Sequence, residues 1–328
     1  MSRQSELAEL SRVYDTAPLS NRNLIINGNM EIAQRGTSQT TAGYGTIDRF
    51  ALSLSGATAT MTQESFTIGQ TDVVGSDKFL KLAVSTGNNN SGIYYKVEAK
   101  DAFPVIGQKV TLSYYAKGTS PSNGLDVAIG WYDGSTSSPY DTEIVTLTSS
   151  WTKYTHTFDV PSISGLTLTN AAAYLEVHWI QADTDTGTSA YEVNLAQVQL
   201  EVGDTATPFE HRSFGDELLR CKRYFEKISG GSDAFSFSAK GQGSTSADAT
   251  INLSVPLRAS PTFNSINSRA FGDSGTFDAS SSTTPTVSQF DANNPVVVLN
   301  CGGFDALTNN KIINWGPVGN ALEIDAEL

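Results

Sequence analysis

The side chains that ionise near neutral pH are few in this chain and give little sign of catalysis. The 328 residues include three histidines, His156, His178 and His211. The first two fall within strand-like alternating runs, where an imidazole usually makes structural hydrogen bonds, and the sequence has no Gly-x-Ser-x-Gly nucleophile elbow. We therefore predict no hydrolytic triad.

Paired carboxyl groups are the second arrangement that would perform chemistry. Glycoside hydrolysis needs two of them roughly 5 to 9 Å apart on either side of the scissile bond. Asp133, Asp141 and Glu143 are close enough in sequence to be considered. An acidic chain offers many such pairs, however, and this one lacks the fixed repeat of a long β-helix. We expect the protein not to be an enzyme and keep glycan cleavage as the least favoured alternative.

One short segment has the oxygen donors of a metal site. Asp183-Thr184-Asp185-Thr186-Gly187 alternates them as a calcium loop does, but the later acid of an EF-hand is missing. A plain hairpin loop is the alternative interpretation. We expect no cofactor, and Asp183 and Asp185 are the candidates for a structural calcium ion.

Aromatic side chains are the groups that would bind a sugar, because ring faces stack on the apolar faces of pyranose rings. Trp131 and Trp179 alternate with aliphatic residues in their strand-like runs, so a core position is the alternative for both. Tyr132 and Tyr140 flank a turn at residues 134–139 and are expected to be more exposed. The candidates for glycan binding are Trp131, Tyr132, Tyr140, Trp179 and Trp315.

The elements that must position these residues are strands. From Asn23 onward the hydrophobic period is two, and no helical stretch separates the successive runs, which favours an antiparallel sandwich over a parallel sheet. We predict an all-β fold whose main part is an antiparallel β-sandwich, a jelly roll. The clearest strand-like runs are residues 92–99, 110–116, 125–132, 151–160, 172–181 and 191–202.

Two segments depart from the strand pattern and are predicted to be helices. At the N-terminus, Leu7, Leu10 and Tyr14 lie on one helical stripe, and so short a helix needs a partner to be stable. The second helix is predicted over residues 211–228, with Cys221 as a small buried apolar group on its stripe. We divide the chain into an N-terminal helix (1–20), the jelly roll (21–210), a linking helix (211–230) and a smaller C-terminal β domain (231–328).

Composition excludes several classes of partner. Lys and Arg number 21 against 34 Asp and Glu, which gives a formal net charge of −13. Nucleic acids and anionic membranes attract clustered positive charge, so neither is expected to bind. The two cysteines are too few for a disulfide scaffold and are expected to be reduced. No secretory signal follows Met1, and no apolar run approaches the ~20 residues of a membrane helix, so a soluble protein is expected.

Two long stretches resemble a known family. Residues 23–38, NLIINGNMEIAQRGTS, followed by Ile47-Asp48-Arg49-Phe50, resemble the opening of a tailed-bacteriophage tail-fibre or minor structural protein family. Residues 199–210, QLEVGDTATPFE, continuing through RSFGDE to CKRYF, resemble the end of the same module. Between them, YYAKG at 114–118 and SWTKY at 150–154 resemble strands of carbohydrate-binding-module-like jelly rolls. The resemblance covers about residues 23 to 228.

The resemblance implies a location for the protein, in a virion, but it does not imply an activity. It implies a virion protein, on the tail or the particle surface and made in the host cytoplasm, that forms a homo-oligomer, expected to be a trimer. The stripe of Leu7, Leu10 and Tyr14 would attach it to other virion proteins. A tail-fibre or receptor-binding role at a host surface polysaccharide is the leading hypothesis. A head-decorating or fibre-adaptor protein that contacts only virion proteins is the alternative.

Overall fold

A computed structural model of the chain describes residues 21–86, 91–169, 171–182, 190–229, 237–242, 245–263, 267–271, 277–279, 286–302, 312–318 and 321–328. The predicted N-terminal helix, with Leu7, Leu10 and Tyr14, lies outside these residues. The chain divides into two units, Met1–Glu217 with Leu328, and Leu218–Glu327.

The described part of the first unit is built almost entirely from strands. A single helical turn, α1 (Ala99–Ala102), continues into a 3₁₀ turn at Phe103–Val105. The strands are β1 (Ser38–Gln39), β2 (Phe50–Ser53), β3 (Thr58–Ser65), β4 (Lys78–Thr86), β5 (Gly92–Glu98), β6 (Lys109–Thr119), β7 (Leu125–Tyr132), β8 (Asp141–Val145), β9 (Thr152–Asp159), β10 (Tyr174–Gln181) and β11 (Tyr191–Val202).

These strands form two antiparallel sheets. The six-stranded sheet has the order β1–β3–β4–β11–β6–β9, and the five-stranded sheet has the order β2–β5–β10–β7–β8. From β4 to β7 and from β8 to β11 the chain crosses from one sheet to the other at every step, which is how a jelly roll is wound. The predicted all-β antiparallel sandwich is therefore confirmed.

The core lies between the two sheets and follows the period of two. In β7 the alternate residues Leu125, Val127, Ile129 and Trp131 are all fully buried, and the same alternation continues across the sheet into β10 at Leu175, Val177 and Trp179. Because successive strand side chains point to opposite faces, burial of one set commits the other set to the outside of the sandwich. The core therefore determines which residues of the five-stranded sheet face away from it.

The segment that precedes β1 is attached to β11 by side-chain hydrogen bonds. The Asn23 amide donates to the Val198 carbonyl oxygen (3.1 Å) and accepts from the Leu200 amide (3.0 Å). Asn27 adopts a positive φ of 62° and donates from its side chain to the carbonyl oxygen of Ile32 (2.8 Å). Asparagine tolerates this left-handed conformation better than most residues. The Asn-rich opening of the jelly roll is thus scaffold.

The second unit is also all-β in its described part. A helix, α2 (Phe214–Lys222), contains the boundary between the units. The strands that follow are β12 (Phe225–Ser229), β13 (Phe237–Gly241), β14 (Ser246–Asn252), β15 (Thr262–Phe263), β16 (Asn267–Phe271), β17 (Phe277–Ala279), β18 (Thr286–Phe290), β19 (Val296–Gly302), β20 (Ile312–Val318) and β21 (Ala321–Asp325).

These ten strands form a three-stranded sheet, β12–β21–β15, and a seven-stranded sheet, β17–β16–β20–β13–β14–β19–β18. A second core contains Ala249, Ile251 and Leu299 from the larger sheet and Leu322 and Ile324 from the smaller one. Within the described residues, neither α-helix is long and apolar enough to cross a membrane.

The prediction of a helix over residues 211–228 is wrong in its second half. The helix ends at Lys222, and Phe225–Ser229 forms β12, which pairs with β21. Phe225 and Ile228 therefore belong to a strand, although their spacing from Leu218 and Cys221 fits a helical stripe. Their backbone groups are satisfied by pairing with a strand almost a hundred residues later in the chain. The local sequence pattern does not indicate this partner, so it could not predict the strand. Cys221 is fully buried, as expected.

Gly28 gives a direct test of how the opening segment is held. A Cβ atom at Gly28 would lie 2.1 Å from the Val198 carbonyl oxygen. Gly28→Ala must therefore push the segment off β11, and we expect it to destabilise the first unit by about 3 kcal/mol, as overpacking against backbone does. Denaturant unfolding followed by tryptophan fluorescence measures the change.

Gly215→Ala is the matched control, because a Cβ atom at this position in α2 meets nothing within 4 Å. Replacing a helical glycine by alanine stabilises by about 0.5 to 1 kcal/mol. Equal unfolding midpoints for the two variants would show that Gly28 is not needed for the close approach.

Candidate functional site

The outer face of the five-stranded sheet collects aromatic and ionisable side chains. Across its centre the strands align Ala51, Tyr94, His178, Ala128 and Thr142 as neighbours in register. We call the chemically distinctive side chains of this face the platform. Its members are Tyr94, Asp126, Tyr132, Tyr140, Tyr174, Glu176 and His178.

Small residues of β7 make room for the platform's rings. A Cβ atom at Gly130 would lie 2.5 Å from a ring carbon of Tyr140, so this ring lies directly against the β7 backbone. Tyr140 precedes β8 and is 38% exposed, which leaves part of its ring open to solvent. A larger residue at position 130 would displace the ring. The glycine therefore sets the position of Tyr140 on the sheet.

The centre of the platform is a buried polar cluster. One carboxylate oxygen of Glu176 accepts a hydrogen bond from the Tyr140 hydroxyl (3.0 Å) and lies 3.0 Å from Nδ1 of His178. Both Glu176 and His178 are only 5% exposed. Burial, with the adjacent Glu176 carboxylate, raises the pKa of Tyr140 far above its ordinary value. Tyr140 is therefore a neutral hydroxyl donor at every physiological pH.

His178 sits between two carboxylates and two rings. Its Nε2 atom lies 3.7 Å from Oδ1 of Asp126, and neither of these buried atoms has a hydrogen-bond partner. The imidazole centroid is 5.4 Å from that of Tyr94 and 5.1 Å from that of Tyr140. Burial lowers the pKa of His178, but the Asp126 and Glu176 carboxylates outweigh it, and the pKa lies above its ordinary value.

A second ring pair forms the rim of the platform. The rings of Tyr132 and Tyr174 are 5.1 Å apart, and Nζ of Lys96 is 4.5 Å from the Tyr174 ring centroid. Tyr132 and Tyr174 are both partly exposed. The platform thus combines partly open aromatic faces with carboxylate, imidazole and hydroxyl groups. Such a surface can stack on an apolar ring and exchange hydrogen bonds with hydroxyls at the same time.

The turn between Tyr132 and Tyr140 is held by Asp133. Its Oδ1 atom accepts from the amides of Ser135 (2.9 Å) and Thr136 (2.7 Å), and its Oδ2 atom accepts from the amide of Thr167 (3.1 Å). The amides of Thr136, Thr167 and Ser135 stabilise the carboxylate and hold the pKa of Asp133 below its ordinary value. The carboxylate is fully engaged in organising the loop that carries Tyr140.

Of the five aromatic candidates, the structure brings two to the platform. Tyr132 and Tyr140 lie on it. The prediction of Trp131 and Trp179 as glycan-binding residues is wrong, because both are fully buried between the sheets and expose no ring face. The period of two that places Tyr132 outside places Trp131 inside. Trp315 lies in β20, and its side chain is outside the described residues, as are Asp183 and Asp185.

Two of the three carboxylates considered for catalysis, Asp133 and Asp141, have structural partners. Asp133 holds a loop, and one oxygen of Asp141 accepts a hydrogen bond from the Asp159 amide (2.7 Å), which joins β8 to β9 across the edge of the sandwich. Among the described residues, no group of three or more His, Cys, Asp or Glu side chains is arranged to bind a metal ion. The calcium site at Asp183 and Asp185 stays a prediction.

The sequence analysis missed most of the platform. It interpreted His178 as structural and did not select Glu176, Tyr94, Asp126 or Tyr174. The sequence did contain one signal, namely the residues of each alternating run that do not face the core. In β10 these residues include Glu176 and His178. Which of these polar residues meet depends on the pairing of β5, β7 and β10, and a single sequence does not specify that pairing.

A small pocket elsewhere in the first unit has a structural explanation. It is lined by the opening segment and by residues 209–212. The Arg212 guanidinium donates to the carbonyl oxygens of Asn23 and Ile25 and pairs with Glu210. The Glu210 carboxylate accepts from the amides of Asn21 and Asn23. These groups hold the two ends of the jelly roll together, so the pocket belongs to the scaffold.

No protein-family model and no curated protein sequence matches this chain. Similar solved structures include the enzymatically active domain of tailspike protein 4 from bacteriophage CBA120, at 11% identity and a TM-score of 0.34 over 56% of this chain and 22% of that one. The family 11 carbohydrate-binding module of cellulase Lic26A-Cel5E from Clostridium thermocellum is similar at 12% identity and a TM-score of 0.33, over 52% of this chain and 98% of that one.

A third similar structure is the CBM22-1 xylan-binding domain of Xyn10C from Paenibacillus barcinonensis, at 14% identity and a TM-score of 0.31, over 52% of this chain and 94% of that one. The chain thus spans about a fifth of the length of the tailspike domain and nearly all of each carbohydrate-binding module. At these identities and TM-scores, the similarity transfers no function to this chain.

The role of Asp133 leads to a prediction about the Tyr132–Tyr140 turn. Asp133→Asn replaces one acceptor oxygen by an amide that faces N–H groups, so we expect faster hydrogen exchange at the amides of Ser135, Thr136 and Thr167. Because the folded pKa is depressed, the contribution of the carboxylate is complete above about pH 4 and is lost as the pH falls through the folded pKa. Amide exchange measured by NMR tests this.

Asp72→Asn, at an exposed position in the loop after β3, is the matched control and should leave those three amides unchanged. Equal exchange rates in the two variants would mean that the turn is held by other contacts.

Proposed function

We propose that the first unit is a non-enzymatic glycan-binding module and that the platform is its binding surface. The single observation that carries this proposal is the arrangement of the partly open rings of Tyr132, Tyr140 and Tyr174 around the Glu176–His178 cluster. A saccharide has two kinds of surface, apolar ring faces and a periphery of hydroxyls. The platform offers a matching group for each: aromatic faces for the first, and carboxylate, imidazole and phenol groups for the second.

The fixed geometry of the platform favours binding. Tyr140 is held by Glu176 on one side and by the β7 backbone at Gly130 on the other. Tyr132 and Tyr174 support each other as a pair, with Lys96 beside the second ring. Side chains that are already ordered lose little conformational entropy when a ligand arrives. Rigid rings on paired strands therefore suit a weak ligand such as an oligosaccharide.

Binding is favoured over cleavage because both carboxylates of this face are directed at side chains of the platform itself. Glu176 is engaged by Tyr140 and His178, and Asp126 faces the imidazole. A glycosidase instead needs two carboxyl groups that face each other across the scissile bond. Release of reducing ends from a bound polysaccharide, abolished by Glu176→Gln, would overturn this part of the proposal.

For the chain as a whole, we propose a bacteriophage virion protein of the tail-fibre or receptor-binding type that attaches the particle to a host surface glycan. The support is the sequence resemblance over residues 23–228, together with the platform. A homotrimer attached to the particle through the segment that contains Leu7, Leu10 and Tyr14 would present three platforms at once. Three weak sites acting together bind a repetitive polysaccharide far more tightly than one.

Tyr132→Ala and Tyr174→Ala test the binding surface. We expect wild-type protein to bind members of an array of bacterial surface oligosaccharides, and each variant to lose about tenfold or more in affinity, which corresponds to about 1.4 kcal/mol. Isothermal titration with the best array ligand measures the loss. Tyr115→Ala is the matched control, because Tyr115 is a partly exposed tyrosine on β6 of the other sheet.

Two outcomes would contradict the proposal. One is the absence of binding to any oligosaccharide by correctly folded wild-type protein. The other is binding that Tyr115→Ala weakens as much as the platform variants do. Binding on the array that is absent from host cells would contradict the attachment role of the whole chain and leave glycan binding by the first unit intact.

A further inference from the structure

His178 lies at the centre of the platform, and its surroundings specify its protonation state. On one side, Nδ1 is 3.0 Å from a Glu176 carboxylate oxygen, and on the other, Nε2 is 3.7 Å from Oδ1 of Asp126. The oxygens of an ionised carboxylate can accept hydrogen bonds but cannot donate them. A neutral imidazole has one N–H and one lone pair, whereas an imidazolium has an N–H at both nitrogens. Only the charged form matches both neighbours.

Burial makes the mismatch of the neutral form costly. Nε2 of His178 and Oδ1 of Asp126 are both buried and have no other hydrogen-bond partner. If Nε2 lost its proton, its lone pair would face the Asp126 oxygen across 3.7 Å with no donor between them. An acceptor buried without a donor costs free energy that an exposed one recovers from water. A proton at Nε2 instead makes this 3.7 Å contact an ion pair.

Two aromatic rings also pack beside His178. The ring centroids of Tyr94 and Tyr140 lie 5.4 and 5.1 Å from the imidazole centroid, so the position of the imidazole constrains both rings. Glu176, which accepts from Nδ1 of His178, also accepts from the Tyr140 hydroxyl. The same carboxylate thus links the imidazole to the partly exposed ring that the proposed function places against the ligand.

The ionisable groups that face His178 can be taken strand by strand. Glu176 comes from its own strand, Asp126 from β7, Tyr94 from β5 and Tyr140 from the segment before β8. Lys96 of β5 is opposite Glu176 in register, but its ammonium lies over the Tyr174 ring and donates to the Leu328 carbonyl oxygen. The two carboxylates are therefore the charges that act directly on the imidazole.

We propose that His178 is a positioning residue of the platform: as an imidazolium clamped between Glu176 and Asp126, it holds the rings of Tyr94 and Tyr140 in the arrangement that binds glycan. This inference rests on the proposed function and adds to it a residue and a pH dependence. The clamp is complete below the pKa of His178, which its neighbours raise, and is lost as the pH rises through that pKa.

Asp126→Asn separates this role from a merely structural one. An asparagine amide donates to the Nε2 lone pair of a neutral imidazole, which can still donate from Nδ1 to Glu176. The variant therefore satisfies both nitrogens of His178 without the second proton. We expect the neutral form of His178 to become sufficient, so that the affinity of the variant for glycan, whatever its absolute value, no longer falls as the pH rises past the pKa of wild-type His178.

The first measurement does not need a ligand. Side-chain ¹⁵N NMR of the full chain distinguishes imidazole from imidazolium, and only three histidines contribute signals. We expect wild-type His178 to remain charged above the ordinary pKa of about 6.5, and to titrate at a lower pH in Asp126→Asn. Titration of wild-type His178 at or below its ordinary value would overturn the clamp.

The second measurement is the affinity for the best array oligosaccharide from about pH 6 to about pH 9. Wild-type affinity should fall about tenfold for each pH unit above the pKa of His178, as expected when one bound proton is required. Asp126→Asn should stay nearly level over the same range. His211→Gln, which removes an exposed histidine outside the platform, is the control and should follow the wild-type profile.

The outcomes distinguish this inference from the proposed function. If wild-type protein binds glycan and its pH profile coincides with that of Asp126→Asn, the positioning role of His178 is wrong and glycan binding stands. If no variant binds glycan at any pH, the proposed function is wrong, and the inference falls with it even where the NMR titration finds the imidazolium.

Discussion

Burial of alternate residues in β7 and β10 is the constraint on which the rest of the first unit depends. Trp131 and Trp179 fill the space between the sheets and expose no surface. A shift of either strand by one residue would bring these rings into water and put charged groups in the core, so the register is strongly fixed. Tyr132 follows Trp131, and His178 precedes Trp179. Because the register is fixed, both Tyr132 and His178 must face outward.

The polar groups at the centre of the outer face are buried. Glu176 and His178 are almost as inaccessible as core residues, although they lie on the outside of the sandwich, His178 beside the rings of Tyr94 and Tyr140. A buried carboxylate is tolerated only when donors surround it, and here a phenol and an imidazole supply them. The need to satisfy these groups links the rigidity of the rings to the charge state of the cluster.

The two ends of the jelly roll are held together by a separate set of interactions. Arg212 donates to carbonyl oxygens of the opening segment, while Glu210 accepts from its amides. Gly28 lets the same segment approach β11 closely. These residues fall within two stretches of the sequence, residues 23–38 and 199–225, which therefore hold the scaffold. The residues of the platform lie outside both stretches.

The sequence by itself determined the fold class and the division of each strand into two faces, because a period of two is a local property that survives without knowledge of the partner strand. It therefore predicted the sandwich and identified Tyr132 and Tyr140 as exposed. It did not exclude Trp131 and Trp179 as ligand contacts, and it extended α2 into β12, because the inward direction and the pairing with β21 depend on distant strands. Only the tertiary structure decided that Glu176, His178, Asp126 and Tyr140 meet. They come from three different segments, and the register between those segments is set by packing of the whole core.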